Sequence, residues 1–320
     1  MTLTEFFLKS VYRITPVRRL TQSLCRKLVL RPGFIARLNR FYKRLGSAER
    51  EMFCLLFASI FRGRPVKGIS GNWSVIFNGK EISIPLHPET FWLDWNLALS
   101  IMGHDLEVKE CYQYFISGDK ITNKTFFDIG ANYGTHSVLF LTHGFRAITF
   151  EPNPNCHEKF QELTSVNGLH GELQKFAIGD KADEIDLVFP QNDTWMGSLS
   201  ANYLEDLSKY NDIKRIKTNV VRLDDFVSET GIFPGIIKID TEGFELAVIK
   251  GGRKALTASK PVVIFESNKS TEREALFNEL TGLGFDIFDI HGISSNTSPL
   301  SEKNFIDSVQ VNFVSIHREQ

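Results

Sequence analysis

The chain has 320 residues, 42% of them hydrophobic, and a formal net charge of −1. That length holds one large domain and a smaller appendage, with enough apolar residues for a sizeable core. The longest near-apolar run, "MFCLLFASIF" (52–61), interrupted by Ser59, is half of what a bilayer-spanning helix needs, and the four cysteines are scattered without metal-ligand spacing, so no membrane span is expected and a disulfide framework or zinc site is disfavoured.

The charge is unevenly placed. Residues 1–46 carry eleven Lys/Arg against one acid, Glu5, leaving 26 basic and 37 acidic side chains in the remainder. Over residues 1–62 the apolar positions Phe6, Phe7, Val11, Ile14, Leu20, Leu24 and Leu28 recur at helical spacing among the cations. Lys9 and Arg13 interrupt what would be the apolar core of a signal peptide, so a cytoplasmic setting is expected. Residues 1–72 therefore read as a basic helical region. In "WSVIFNGKEISIPL" (73–86) two alternating runs flank Asn78-Gly79, which predicts a β-hairpin. With a linking helix it fills 73–104.

From Thr125 the rhythm changes to short apolar strands between helical stretches. Strands are expected at 125–129, 147–151, 173–178, 236–240, 262–266, 285–290 and 309–316. Helices are expected at 134–143, 154–167, 243–256 and 271–282. Such alternation predicts an α/β fold with a mostly parallel, Rossmann-like sheet. The last two strands follow one another without a predicted helix, which implies an antiparallel edge pair. Residues 184–227 read as an excursion between the third and fourth core strands, and its "DTWMGSLS" (193–200) offers Trp195 and Met196 as candidates to line an acceptor pocket.

"TFFDIGANYGTHSVLF" (125–140) is a strand, a tight turn holding Gly130 and Gly134, then a helix. Glu151 ends the next strand, where an acid can take two ribose hydroxyls. A dinucleotide asks for G-x-G-x-x-G so that pyrophosphate can approach bare backbone. Here Asn132 stands at the second glycine position, and Asp128 offers a carboxylate to an ammonium, so S-adenosylmethionine is preferred to NAD. The bland alternative is a structural turn with Glu151 as a surface acid.

"FFDIGANYGTHSVLF", "FEPNP" (150–154) and "IKIDTEGFELAVIKGG" (237–252), in that order, resemble the FkbM family of S-adenosylmethionine-dependent methyltransferases. "AIGD" (177–180) and "VVRLDDF" (220–226) are further echoes; the resemblance covers roughly 105–316 and assigns 105–320 to the methyltransferase domain. It implies the seven-stranded class I methyltransferase sheet and O-methylation. It also implies cofactor contacts at Asp128, Gly130, Ala131, Asn132, Gly134, Glu151, Ala177 and Asp240. The acceptor class it implies is a saccharide, glycolipid or secondary metabolite.

Asp240 closes the fourth core strand, Glu242 lies in the loop beyond, and Glu245 falls in the first helical turn, where the helix dipole favours an acid. Asp240 or Glu242 is the expected general base or anchor for an acceptor hydroxyl, with catalytic roles assigned to both. A divalent cation held by these acids is the alternative that spacing leaves open, and no metal is assigned. His136 and Glu266 are secondary candidates. The rival readings are a scaffold on the same fold, an NAD-dependent oxidoreductase and an N-methyltransferase. No nucleic-acid reading element accompanies the basic region. That region is either an amphipathic surface helix able to rest on an anionic leaflet or a helix packed on the protein with its charges solvated. Oligomeric state is not readable.

Overall fold

A computed structural model describes residues 2–64, 66, 68–118, 120–190, 213–268, 272–295 and 298–319. By its contacts the chain divides into one unit formed by Met1–Glu110 with Leu163–Leu169 and a second formed by Cys111–Glu162 with His170–Gln320. Among the described residues no helix is long and apolar enough to cross a membrane.

In the first unit, helices α1 (Leu3–Arg13), α2 (Thr15–Val29), α3 (Phe34–Tyr42) and α4 (Ser47–Phe57) precede the hairpin β1 (Gly71–Phe77) and β2 (Lys80–Leu86). The hairpin turns at Asn78-Gly79, both with positive φ, as the dipeptide predicts. Trp73 of β1 packs against Tyr42 of α3 and Trp95 of α5 (Phe91–Ser100), with ring centroids 5.2 and 5.5 Å apart. Hairpin and α5, a separate segment on sequence grounds, thus share one aromatic core with the preceding helices. Asn39 fastens α3 to the strand by accepting from the Ser74 amide and donating to its carbonyl. The helix α6 (Leu106–Ser117) follows.

The second unit is built on a seven-stranded sheet. Its strands are β3 (Thr125–Ile129), β4 (Arg146–Phe150), β5 (Glu172–Gln174), β9 (Ile236–Ile239), β10 (Val262–Glu266), β11 (Phe285–Asp289) and β12 (Asn312–His317), in the spatial order β11-β12-β10-β9-β3-β4-β5. All neighbours are parallel except β12, which runs antiparallel to both β10 and β11. This is the class I arrangement expected from the motifs, with its antiparallel edge. The strands bury continuous apolar runs such as Phe126-Phe127 and Ile236-Ile237, as a parallel sheet covered by helices requires. Helices α7 (Thr135–Leu141) and α8 (Pro154–Val166) follow β3 and β4. The order reverses between β3 and β9, so the crevice beyond their carboxyl ends is the switch point where ligands settle on such sheets.

Three expectations need correction. The strand expected at 173–178 divides: β5 ends at Gln174, and β6 (Ala177–Gly179) joins a separate three-stranded sheet with β7 (Asp183–Pro190) and β8 (Ile213–Arg222). Between them Phe176 turns against Phe150 and Phe226, leaving the ladder. The helix expected at 243–256 is two helices, α10 (Glu245–Gly251) and α11 (Arg253–Ser259), broken at Gly252. Asp224, in α9 (Leu223–Thr230), accepts from the Lys254 and Ala255 amides and so caps α11. That gives the acid of "VVRLDDF" a structural use. Finally, α12 (Arg273–Gly282) precedes β11, and a short helix α13 (Glu302–Asp307) lies between β11 and β12 where none was expected.

Candidate active site

A row of polar side chains crosses the otherwise apolar sheet. Thr149 on β4, Asp128 on β3 and Lys238 on β9 are register partners on adjacent strands, and all three are buried. Asp128 Oδ2 accepts from both the amide (2.9 Å) and the hydroxyl (2.7 Å) of Ser137 on α7, and that hydroxyl also meets Thr149 Oγ1 at 2.8 Å. Burial pushes the Asp128 carboxyl up to about 6, against the lowering effect of Ser137 and the Lys238 charge. The first helical turn after the glycine loop is thereby occupied by the protein's own carboxylate.

The turn between β3 and α7 depends on missing side chains. Gly130 has φ +80°, and a Cβ there would stand 1.9 Å from the Asp240 carbonyl oxygen. Gly134 has φ +69°, and a Cβ would overlap the Phe160 ring on α8 at 2.1 Å. Backbone closes the remaining gaps: the Gly130 and Ala131 amides donate to the Phe150 carbonyl, and the Asp240 amide donates to Ile129. The loops after β3, β4 and β9 are therefore pinned to one another. Glu151, buried just beyond β4, accepts from the Asn132 amide (2.7 Å) and the Asn153 amide (2.6 Å), one at each carboxylate oxygen. Burial raises it to about 7. Both bonds orient the carboxylate toward the glycine loop. Ala177 sits buried in the small sheet, paired with Val220.

Beyond β9 the acids separate into two kinds. Glu245 is buried, and its Oε1 accepts from the Thr241 amide, the Thr241 hydroxyl and the Gly243 amide at 2.9–3.0 Å. It fastens the 241–243 loop to α10 and is structural. Asp240, Glu242 and Glu266 instead converge, each half-buried, with one carboxylate oxygen apiece inside 4.8 Å of the others. The buried Lys238 ammonium reaches Asp240 Oδ2 at 3.1 Å. Burial, then the charge of Asp240 and a hydrogen bond to it, push Glu266 far above the usual carboxylate range. A proton shared within this pair is how crowded carboxylates avoid mutual repulsion. Such spacing also fits a divalent cation, whose charge would do the same service. Glu242 reaches the cluster from a left-handed backbone with φ +54°, uncommon for a residue with a Cβ.

Of the secondary candidates, Glu266 belongs to the cluster. His136 has its Nδ1 2.9 Å from the Tyr112 hydroxyl. Trp195 and Met196 lie outside the described residues. Sequence reasoning missed Ser137 and Thr149, although a lone polar residue at matching register in "FFDI", "ITF" and "IKI" was a visible signal. It also missed Arg273, whose buried guanidinium donates to the carbonyls of Ser267, Phe305, Ser308 and Gln310 and so anchors the segment that follows Glu266.

The model of the methyltransferase FkbM domain matches residues 128–292, more than half of the chain. The chain belongs to the FkbM methyltransferase family. The matched span contains the polar row, the glycine turn and all three clustered acids. A curated relative, the hexuronic acid methyltransferase AglP of Haloferax volcanii, is 28% identical over 138 residues, which is 43% of this chain and 53% of the relative. The chain thus aligns with about half the length of that relative. Among solved structures, an FkbM methyltransferase from Methylobacillus flagellatus KT superposes over 72% of this chain and 54% of its own, with 15% identity and a TM-score of 0.40. The T. thermophilus 16S rRNA N2 G1207 methyltransferase RsmC, in complex with AdoMet and guanosine, covers 79% of this chain and 52% of its own at 13% identity and a TM-score of 0.41. These scores are too low to carry correspondences between individual residues.

Proposed function

We propose that this FkbM protein transfers a methyl group from S-adenosylmethionine to a hydroxyl oxygen of a saccharide-type acceptor. The observation that carries the reading is the convergence of Asp240, Glu242 and Glu266 at the carboxyl ends of the central strands, beside a glycine turn pinned to the same Asp240.

The residues fit an adenosyl sulfonium better than a dinucleotide. A pyrophosphate needs the amides at the start of α7, but Asp128 already accepts from Ser137 there and would repel a second anion. A cationic amino acid end meets that carboxylate favourably. Glu151, oriented by two backbone amides, retains acceptor capacity for ribose hydroxyls. When bound, S-adenosylmethionine supplies an electrophilic methyl group on a positively charged sulfur.

The chain's own residues then have two tasks. Asp240, steadied by Lys238, hydrogen-bonds and orients the acceptor hydroxyl, and holding reactants in line supplies much of the acceleration. The hydroxyl proton passes to Asp240 or Glu242, and the raised proton affinity of the Glu266–Asp240 pair keeps the cluster from accumulating a third negative charge. Three acids in one place also favour a neutral hydroxyl over a carboxylate as the accepting oxygen, because a carboxylate placed at that point would meet like charge. The saccharide class rests on the relative that acts on hexuronic acid.

The test is a radiolabelled-methyl assay on a saccharide panel combined with calorimetry of S-adenosylhomocysteine. Asp240→Asn should lower turnover by about 10²–10⁴-fold while changing cofactor affinity far less. Absence of binding heat with the cofactor product, or heat with NAD instead, would overturn the reading.

A further inference from the structure

The first two helices offer a surface that the catalytic reading does not use. On α1, Leu8 and Val11 are buried, while Leu3, Phe6 and Phe7 on the adjoining flank are 88%, 57% and 62% exposed. Packing on the protein therefore accounts for one face of this helix and leaves a second apolar face bare. The pattern continues through the half-exposed Ile14 at the elbow into α2, where Cys25 and Val29 are buried and Leu20 and Leu24 are 72% and 55% exposed. Leu3, Phe6 and Phe7, then Val17, Leu20 and Leu24, each follow helical spacing, so each helix carries a stripe rather than scattered residues. Exposed apolar stripes of this size mark interaction surfaces.

Charge identifies the occupant. Arg13, Arg19 and Lys27 are exposed on the same two helices. The single acid of residues 1–46, Glu5, is paired with Lys9 at 2.6 Å. We infer that α1 and α2 lie on an anionic lipid bilayer, with the Leu and Phe side chains in the headgroup–acyl boundary and the cations against lipid phosphates. A neutral apolar partner would not need the cations. A nucleic acid would use the cations but leave Leu3, Phe6, Phe7 and Leu20 in water. A second copy of the chain would bring the same cations face to face. An anionic leaflet satisfies both kinds of side chain at once.

The full chain would be co-sedimented with phosphatidylcholine vesicles, with and without phosphatidylglycerol, with its sedimentation velocity recorded alongside. Partition into the anionic vesicles should exceed that into neutral ones and fall as salt is raised. The triple variant Arg13→Ser, Arg19→Ser, Lys27→Ser should weaken it on the order of 100-fold, at roughly fivefold for each cation near a charged surface. Phe6→Ser, Phe7→Ser and Leu20→Ser together should weaken it by at least about tenfold. All six side chains are exposed, so thermal unfolding of both variants should match the parent. Equal partition into neutral and anionic vesicles would overturn the proposal, as would indifference to both variants. Tighter binding to an oligonucleotide than to vesicles, or self-association abolished by the apolar variant, would assign the face to another partner and overturn it equally.

Discussion

The loops that leave the adjacent strands β3 and β9 meet at one point and are made of opposite materials. After β3 the chain is Gly130-Ala131-Asn132-Tyr133-Gly134, without a formal charge; after β9 it is Asp240-Thr241-Glu242-Gly243, closed by Glu245. The first loop works by leaving space, for the Asp240 carbonyl at Gly130 and the Phe160 ring at Gly134. The second works by concentrating charge and holding it with a single saturated acid, Glu245. One loop is intolerant of added atoms, the other of removed acceptors. Both contain left-handed non-glycine residues, Asn132 and Glu242, where the backbone is bent beyond what most side chains favour.

The sharpest break of this contrast is Gly130→Ala. Its Cβ meets backbone at 1.9 Å in a left-handed conformation, so the Asp240 loop must move. A loss of more than about 3 kcal/mol in chemical denaturation is expected, accompanied by loss of cofactor binding.

Next comes a pH effect belonging to the glycine loop through Asn132 and Glu151. Glu151 titrates near 4.5 when unfolded and about 7 when folded, so between these values the native state binds more protons than the unfolded chain. Stability without cofactor should therefore fall as pH rises from about 4.5 to about 7, by on the order of 2–3 kcal/mol from this group. Glu151→Gln removes the titration and should flatten that part of the curve. An unchanged slope would mean that Glu151 is not the group that titrates over this range.

In the charged loop, Glu245→Ala strips one acceptor from three donors and should cost about 2 kcal/mol, whereas Glu245→Gln keeps an oxygen in place and should recover most of it. Equal losses in the two variants would show that charge rather than hydrogen bonding holds the loop. The smallest effect has the opposite sign. Glu242→Gly relieves the left-handed backbone and should stabilise the fold by up to about 1 kcal/mol while lowering turnover. Stability gained at the expense of activity is what a strained functional residue produces; a gain with full activity would remove Glu242 from the chemistry.

Much of this molecule was legible in its residues because the information was local. The apolar runs of β3, β9 and β10 dictate buried parallel strands, Asn78-Gly79 dictates the hairpin turn, and the spacing of Asp128, Gly130, Gly134 and Glu151 points to a ligand at the switch point. Other features were hidden because they depend on what arrives from elsewhere. Nothing next to Phe176 in the chain says that Phe150 and Phe226 will draw it out of the ladder. Nothing next to Glu245 says that its oxygen will collect three donors while Asp240 and Glu242, five and three residues away, will turn toward Glu266.

The chain by itself determined the order of strands and helices, the glycine turn and the supply of acids, since periodicity and backbone preference act over a few residues. Only the tertiary structure decided which acids are spent on backbone amides and which remain clustered, which polar residues align across three strands, and which face of α1 stays uncovered. Those outcomes follow from burial and register, which place side chains distant in sequence within a few ångströms and set their charge by the water they lose.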